Sequence, residues 1–241
     1  RGPNASGVDA SVALPTTWNA TTGQNIRWKT PIPGLAHAAP IVWGGIHGEE
    51  VVTSQVLQHL LRVVHADDAC AVVVPVLNPD GVLACTRQNA RGVDLNRNFP
   101  GPTWRDAPSP TYWPTTTVRT SARRTMLSSP GTHPGSEPEV AAICALVEQV
   151  EPGAVIDLHT PLECLIAHRP DALDLARHLA EPTGFSIITE LDGPTPGDSA
   201  TWCQQHGIIT VTYELELATL PVIWTRHAEA LTRCVVDRTG G

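Results

Sequence analysis

The chain has 241 residues, 41% of them hydrophobic, enough for one α/β domain of ordinary size with a real core. Sixteen basic against 24 acidic residues leave a net charge of -8, which argues against a nucleic-acid footprint or a polybasic membrane patch. No run approaches the roughly 18 apolar residues of a membrane span, and the six scattered cysteines form no Cys-x-x-Cys pair, so neither a zinc finger nor a disulfide framework is expected.

Residues 1–40 are rich in Pro, Gly, Thr and Asn and show no sustained period. They read as an atypical segment ahead of a domain over 41–241. Arg1–Ala10 lack the apolar core of a signal peptide, which favours a cytoplasmic location over a periplasmic or secreted one. A chain without an initial Met nevertheless leaves a leader open.

From Ile41 short apolar runs alternate with helix-period segments. Ile41–Gly45 predicts a buried strand. Glu49–Val64 places apolar residues at 52, 56, 57, 60, 61 and 64, a helical stripe. Ala71–Leu77 predicts a strand stopped by the turn Asn78-Pro79-Asp80-Gly81. Residues 84–135, full of Pro, Thr, Ser and Arg, read as a long loop, of the kind that lines a site or is mobile. Ser136 and Glu139 have capping-box spacing for a helix running to about Val150. Strands follow at Ala154–His159, Phe185–Thr189 and Ile208–Glu214, and helices at Asp171–Ala180, Ser199–His206 and Val222–Val236. This alternation predicts an α/β fold with a mixed, mostly parallel central sheet flanked by helices.

Three predicted strands run into ionisable residues: His47, His159 and Glu214. Ligands of open α/β sheets bind outside the carboxyl ends of strands, so these groups are expected at one rim. His47 and Glu50, three apart at a helix start, can grip one ion. By itself His-x-x-Glu is common by chance and reads as a surface-loop histidine. His159 completes a His₂Glu set, a catalytic zinc arrangement that leaves a position for water. The segment Asn89-Ala90-Arg91-Gly92-Val93-Asp94-Leu95-Asn96-Arg97-Asn98-Phe99-Pro100 is too polar for core and too patterned for a linker. Arg97 beside Asn96 offers a fork of donors suited to a carboxylate, the bland alternative for it and for Arg87 being solvated charge.

Taken in order, Gly44-Gly45-Ile46-His47-Gly48-Glu49-Glu50, Asn78-Pro79-Asp80-Gly81, the segment 93–100, Pro134-Gly135-Ser136-Glu137-Pro138-Glu139, Ile156-Asp157-Leu158-His159 and Thr212-Tyr213-Glu214-Leu215 resemble the zinc carboxypeptidase family typified by carboxypeptidase A. The resemblance covers about 41–241. It implies Zn²⁺ held by His47, Glu50 and His159, with Asp94 orienting the first zinc histidine. It further implies Arg87 as the oxyanion stabiliser, Asn96 and Arg97 as the binders of the substrate's terminal carboxylate, and Glu214 as general base. Glu216, with the same facing if the strand continues, is the competing carboxylate.

Residues 84–100, His159-Thr160-Pro161-Leu162-Glu163-Cys164 and Thr195-Pro196-Gly197-Asp198 leading to Thr201-Trp202-Cys203 are similar to the murein tripeptide amidase branch. That implies a peptide substrate cut between γ-D-glutamyl and diaminopimelate. The zwitterionic second centre of diaminopimelate then calls for a rim carboxylate and a donor, with Glu163, Asp198 and Thr201 as candidates, the bland and favoured alternative for them being solvated loop residues. The branch usually has an apolar residue and Pro after the catalytic Glu, whereas Leu215-Glu216 stand here. An N-acyl-amino-acid deacylase of the aspartoacylase or succinylglutamate desuccinylase type, and an inactive pseudo-peptidase binding module, are the alternative functions. Residues 1–43 resemble the opening of PQQ-enzyme-like β-propeller proteins, yet are far too short for a propeller. A fusion or recombined frame near Pro40-Ile41-Val42-Trp43-Gly44 is expected, the segment supplying edge strands.

Overall fold

In the computed structural model, residues 39–63, 71–114, 123–191, 193 and 195–235 are described. Residues 1–38 of the propeller-like segment and Cys70 lie outside them, and so does the expectation of edge strands there.

Six strands form the main sheet: β1 (Ile41–Trp43), β2 (Val72–Val74), β5 (Ala154–His159), β6 (Cys164–Ala167), β7 (Ser186–Ile188) and β8 (Ile209–Glu214), in the order β2-β1-β5-β8-β6-β7. The pairs β1–β2, β1–β5, β5–β8 and β6–β7 are parallel, and β6–β8 is antiparallel. The sheet is therefore mixed and mostly parallel. β6 was not anticipated, because its four residues sit directly behind the Pro-containing run Thr160-Pro161-Leu162-Glu163 and are too few to show a period of their own.

Both faces of the sheet are covered, so β5 is buried throughout. Helices α1 (Val51–Val63), α4 (Leu173–Ala180) and α6 (Leu220–Val235) pack on one face, against Ile156, Leu158, Val211 and Tyr213. Helices α3 (Pro138–Val150) and α5 (Ser199–Gln205) pack on the other, with Val155, Trp43 and Trp202. Period two along a strand sends neighbours to opposite faces. Asp157 and His159 thus share the α3/α5 side with Val155, and Glu214 lies opposite in facing to Tyr213. Tyr213 Oη meets His227 Nδ1 of α6 at 2.7 Å.

Several local expectations are corrected. Asn78-Pro79-Asp80-Gly81 opens a short helix, α2 (Pro79–Ala84), where Asn78 Oδ1 accepts from Gly81 N. The 84–135 stretch contains an antiparallel hairpin, β3 (Ser109–Pro114) with β4 (Arg123–Ser128), whose backbone pairing the Pro- and Arg-rich sequence concealed. The cap residue of α3 is Glu137, with no side-chain cap bond, and Ser136 Oγ donates to Glu137 Oε1 instead of capping. The segment 89–100 is far from excluded from the core: Leu95 and Phe99 are fully buried in it. Among the described cysteines no disulfide forms; Cys85 is exposed and Cys144, Cys164, Cys203 and Cys234 are buried.

Candidate active site

The loop after β1 is shaped by two close approaches. Gly45 has φ of 67°, and a Cβ there would lie 2.3 Å from Ser54 Oγ. A Cβ on Gly48 would lie 1.9 Å from the Gly81 carbonyl carbon, so only glycine lets this loop press against α2. Asn78 Nδ2 donates to Ile46 O and Arg87 O, fastening the His47 loop to the Arg87 segment. Thr53 finishes the turn: its Oγ1 accepts from Gly45 N and donates to Glu50 O.

His47 and Glu50 then meet His159 from the end of β5. His47 Nδ1 lies 2.7 Å from Glu50 Oε1, and His159 Nδ1 lies 3.1 Å from Glu50 Oε2. One donor atom from each residue falls within 4.8 Å of the others, and all three residues are buried. A tetrahedral zinc with bonds of about 2.0–2.1 Å needs donors roughly 3.3 Å apart, so this set fits one. Each histidine also has a carboxylate behind it. His47 Nε2 is 3.3 Å from Asp94 Oδ1, and His159 Nε2 is 3.2 Å from Asp157 Oδ1. Among the described residues neither His47 Nε2 nor Asp157 Oδ1 has a hydrogen-bond partner of better geometry. A carboxylate facing Nε2–H leaves the Nδ1 lone pair for a cation. Burial opposes charge on Glu50, but the two histidines outweigh it and hold its carboxyl well below the usual range. Burial also works against a proton on His159, yet Asp157 and Glu50 hold its pKa well above the ordinary value.

Asp94 joins two parts of the site. Its Oδ2 accepts from Arg87 Nε at 2.7 Å, while its Oδ1 faces His47 and accepts from Asn96 N at 3.0 Å. Its backbone is held by the strand-like contact of Val93 with Ser129, where Asp94 N donates to Ser129 O. Arg87 is 5% exposed, with Nη1 3.7 Å from Glu49 and 3.9 Å from Glu50. Burial raises the Glu49 pKa, with Arg87 opposing.

Asn96 and Arg97 stand in a short 3₁₀ turn begun by Asp94. Arg97 Nε donates to Ser109 Oγ at 3.2 Å, so the start of the hairpin helps to hold it, and Nη1 donates to Asn96 O at 2.6 Å. Its Nη2 makes no hydrogen bond to a described residue. Burial lowers the Arg97 pKa, partly offset by Asp94.

Glu214 ends β8 in register with His159, so the two stand side by side on one face. Burial pushes the Glu214 carboxyl up to about 7, opposed by His159, and Leu162 N donates to its Oε2 at 3.3 Å. Glu216 is elsewhere. Its Oε2 lies 2.6 Å from His227 Nε2 and its Oε1 3.6 Å from Arg226, on the α6 side. The strand ends at Glu214, so the expected shared facing is not realised. Asp198 and Thr201 are not open to a ligand as expected. Asp198 Oδ1 accepts from Thr201 N and its Oδ2 from Thr201 Oγ1 and Thr195 Oγ1, which caps α5. Glu163 remains exposed beside Leu162.

Sequence reasoning gave no part to Asp157 and Ser199. Asp157 had a signal, since two residues before His159 on a strand is the same face. Ser199 had none.

Residues 25–168 match the zinc carboxypeptidase family, a stretch that takes in part of the atypical segment. The chain belongs to the zinc carboxypeptidases. The murein peptide amidase A of Escherichia coli K12 is 32% identical over 184 residues, which cover 76% of this chain and 74% of that protein. Its counterpart in Vibrio campbellii is 31% identical over 191 residues, 79% and 74% of the two chains. The crystal structure of a murein-tripeptide amidase from Escherichia coli O157 superposes with a TM-score of 0.75 at 29% identity, covering 84% of this chain and 83% of that one. This zinc carboxypeptidase is accordingly a Zn²⁺-dependent hydrolase and not a binding module. No helix of the described residues is long and apolar enough to cross a membrane.

Proposed function

We propose that this zinc carboxypeptidase is a murein peptide amidase that cleaves the γ-D-glutamyl–diaminopimelate amide, next to a free carboxylate. The observation that carries the reading is the convergence, around one His₂Glu set, of the buried carboxylate of Glu214 and the buried cation of Arg97, whose Nη2 no described residue takes. Similarity to murein peptide amidases along three quarters of the chain supports the substrate class.

His47, Glu50 and His159 would hold the metal, the Nδ1 atoms of both histidines facing Glu50. Zinc, when bound, supplies Lewis acidity and brings the pKa of water toward 7. Glu214, poised near neutrality by burial, takes the proton of the attacking water and delivers it to the leaving amine. Arg87, locked by Asp94, places positive charge where the scissile carbonyl oxygen becomes anionic. Asn96 and Arg97 hold the carboxylate of the leaving amino acid, which sets the amide in reach of Glu214. Glu163 is the exposed carboxylate left to meet the distal ammonium of diaminopimelate.

Comparing L-Ala-γ-D-Glu-diaminopimelate with C-terminal L-dipeptides of aromatic and basic type, with mass detection, tests the reading. The murein tripeptide should be cut much faster. Faster cleavage of the L-peptides would make the enzyme a digestive-type carboxypeptidase. Preference for acyl-amino acids would make it a deacylase.

A further inference from the structure

Ser199 is 1% exposed at the first turn of α5, held there by the Asp198 cap. Its two polar groups point to two different parts of the site. The Oγ donates to Asp157 Oδ2 at 2.7 Å, and Asp157 Oδ1 faces His159 Nε2. The backbone N–H donates to Asn96 Oδ1 at 2.8 Å. Asn96 N in turn donates to Asp94, which faces His47. Glu50 lies between both histidines. The contacts thus run in a closed ring: His47, Asp94, Asn96, Ser199, Asp157, His159, Glu50 and back to His47.

We infer that Ser199 is a positioning residue that ties the metal histidine His159 to the carboxylate-reading amide of Asn96. The inference rests on the zinc and carboxylate roles proposed above. Its physical basis is polarity. An amide has one acceptor oxygen and one donor nitrogen. With Oδ1 taken by the Ser199 N–H, Asn96 has Nδ2 left to offer an anion, and the wrong flip would set Nδ2 against the Ser199 N–H, donor against donor. On the other arm, Asp157 receives the Ser199 hydroxyl on one oxygen and so keeps the other turned to His159. Carboxylates that back metal histidines fix ring orientation, and losing such partners costs about 10- to 100-fold in metal affinity. Ser199 serves both ends because its hydroxyl and its N–H diverge from one rigid point at a helix start.

The two arms can be cut separately. Ser199→Ala removes only the hydroxyl. Ser199→Pro removes the N–H as well, and the position suits proline, since it begins a helix and Asp198 before it is extended (φ -82°, ψ 159°). Zinc affinity is measured on purified protein by competition with a chromogenic chelator. KM is measured at saturating zinc for a carboxylate substrate and its carboxamide. Ser199→Ala and Asp157→Asn should each weaken zinc about 10- to 100-fold. Ser199→Pro should weaken zinc similarly and raise KM for the carboxylate substrate more than Ser199→Ala does, with a smaller change for the carboxamide. Wild-type zinc affinity in folded Ser199→Ala or Asp157→Asn overturns the inference, as does a proline variant whose KM matches the alanine variant's. Should the proline variant not fold, Ser199→Ala and Asp157→Asn decide the zinc arm, and Asn96→Asp decides the other: it keeps an acceptor for the Ser199 N–H but loses the Nδ2 donor, so an unchanged KM for the carboxylate substrate overturns the inference. A wild-type protein that binds no zinc would instead remove the site reading itself, so the two failures are distinct.

Discussion

Replacing Arg97 with alanine isolates one donor. Nε is committed to Ser109 Oγ and one of the two Nη1 hydrogens to Asn96 O, which leaves Nη2 as the nitrogen no described residue takes and the one open to substrate. The substitution therefore deletes one charge-assisted hydrogen bond to the substrate carboxylate, worth roughly 1.5–3 kcal/mol. At about 1.4 kcal/mol per tenfold, that is roughly a 10- to 150-fold rise in KM. The effect should sit in KM because the carboxylate is held alike before and during bond cleavage. Steady-state kinetics on a free-carboxylate peptide and on its carboxamide give the comparison. The carboxamide offers a neutral acceptor, so its loss should be only a few-fold. Equal losses on both substrates would refute the assignment of Arg97 as the carboxylate reader, and a loss confined to kcat would place it with the reacting atoms instead.

Metal analysis of purified protein should give one zinc per chain; no zinc after reconstitution, or full zinc binding by His159→Ala, would remove the proposed ligand set. Glu214→Gln should keep the metal and lose about 10²- to 10⁴-fold in kcat, whereas Glu216→Gln should be much milder on turnover and act mainly on thermal stability through its His227 contact. A dead Glu216 variant beside an active Glu214 variant would reverse that assignment. Burial opposes the Asp94 charge, but Arg87 and His47 hold its pKa well below the ordinary 3.8. Its stabilising contribution is thus full above that value and lost as pH falls below it. Asp94→Asn should flatten the fall of melting temperature with pH in this acid range, and an unchanged slope would show that Asp94 does not carry the linkage.

The sheet class and the chemistry at its rim were legible in the sequence because both rest on short-range pattern. Apolar runs alternating with helical stripes dictate strands between helices, and strands that end in His159 and Glu214 put those residues at one edge once they pair in parallel. Likewise, His47 and Glu50 are brought together by three residues of backbone. What the sequence could not state is which long-range partner each polar group takes. Glu214 and Glu216 look equivalent along the chain, and only the end of β8 and the presence of His227 on α6 separate them. Asp198 looks like a rim carboxylate until helix α5 uses both of its oxygens. Asn78 and Asn98, each in a run that reads as functional, are fastenings between loops. Asn98 Nδ2 reaches Pro130 O, and its Oδ1 accepts from Glu137 N. The ring through Ser199 joins residues 47, 94, 157 and 199, whose separations no local period encodes. Periodicity reports which face a side chain takes; whether that face meets metal, substrate or another carboxylate depends on the crossing of distant segments, which tertiary packing alone decides.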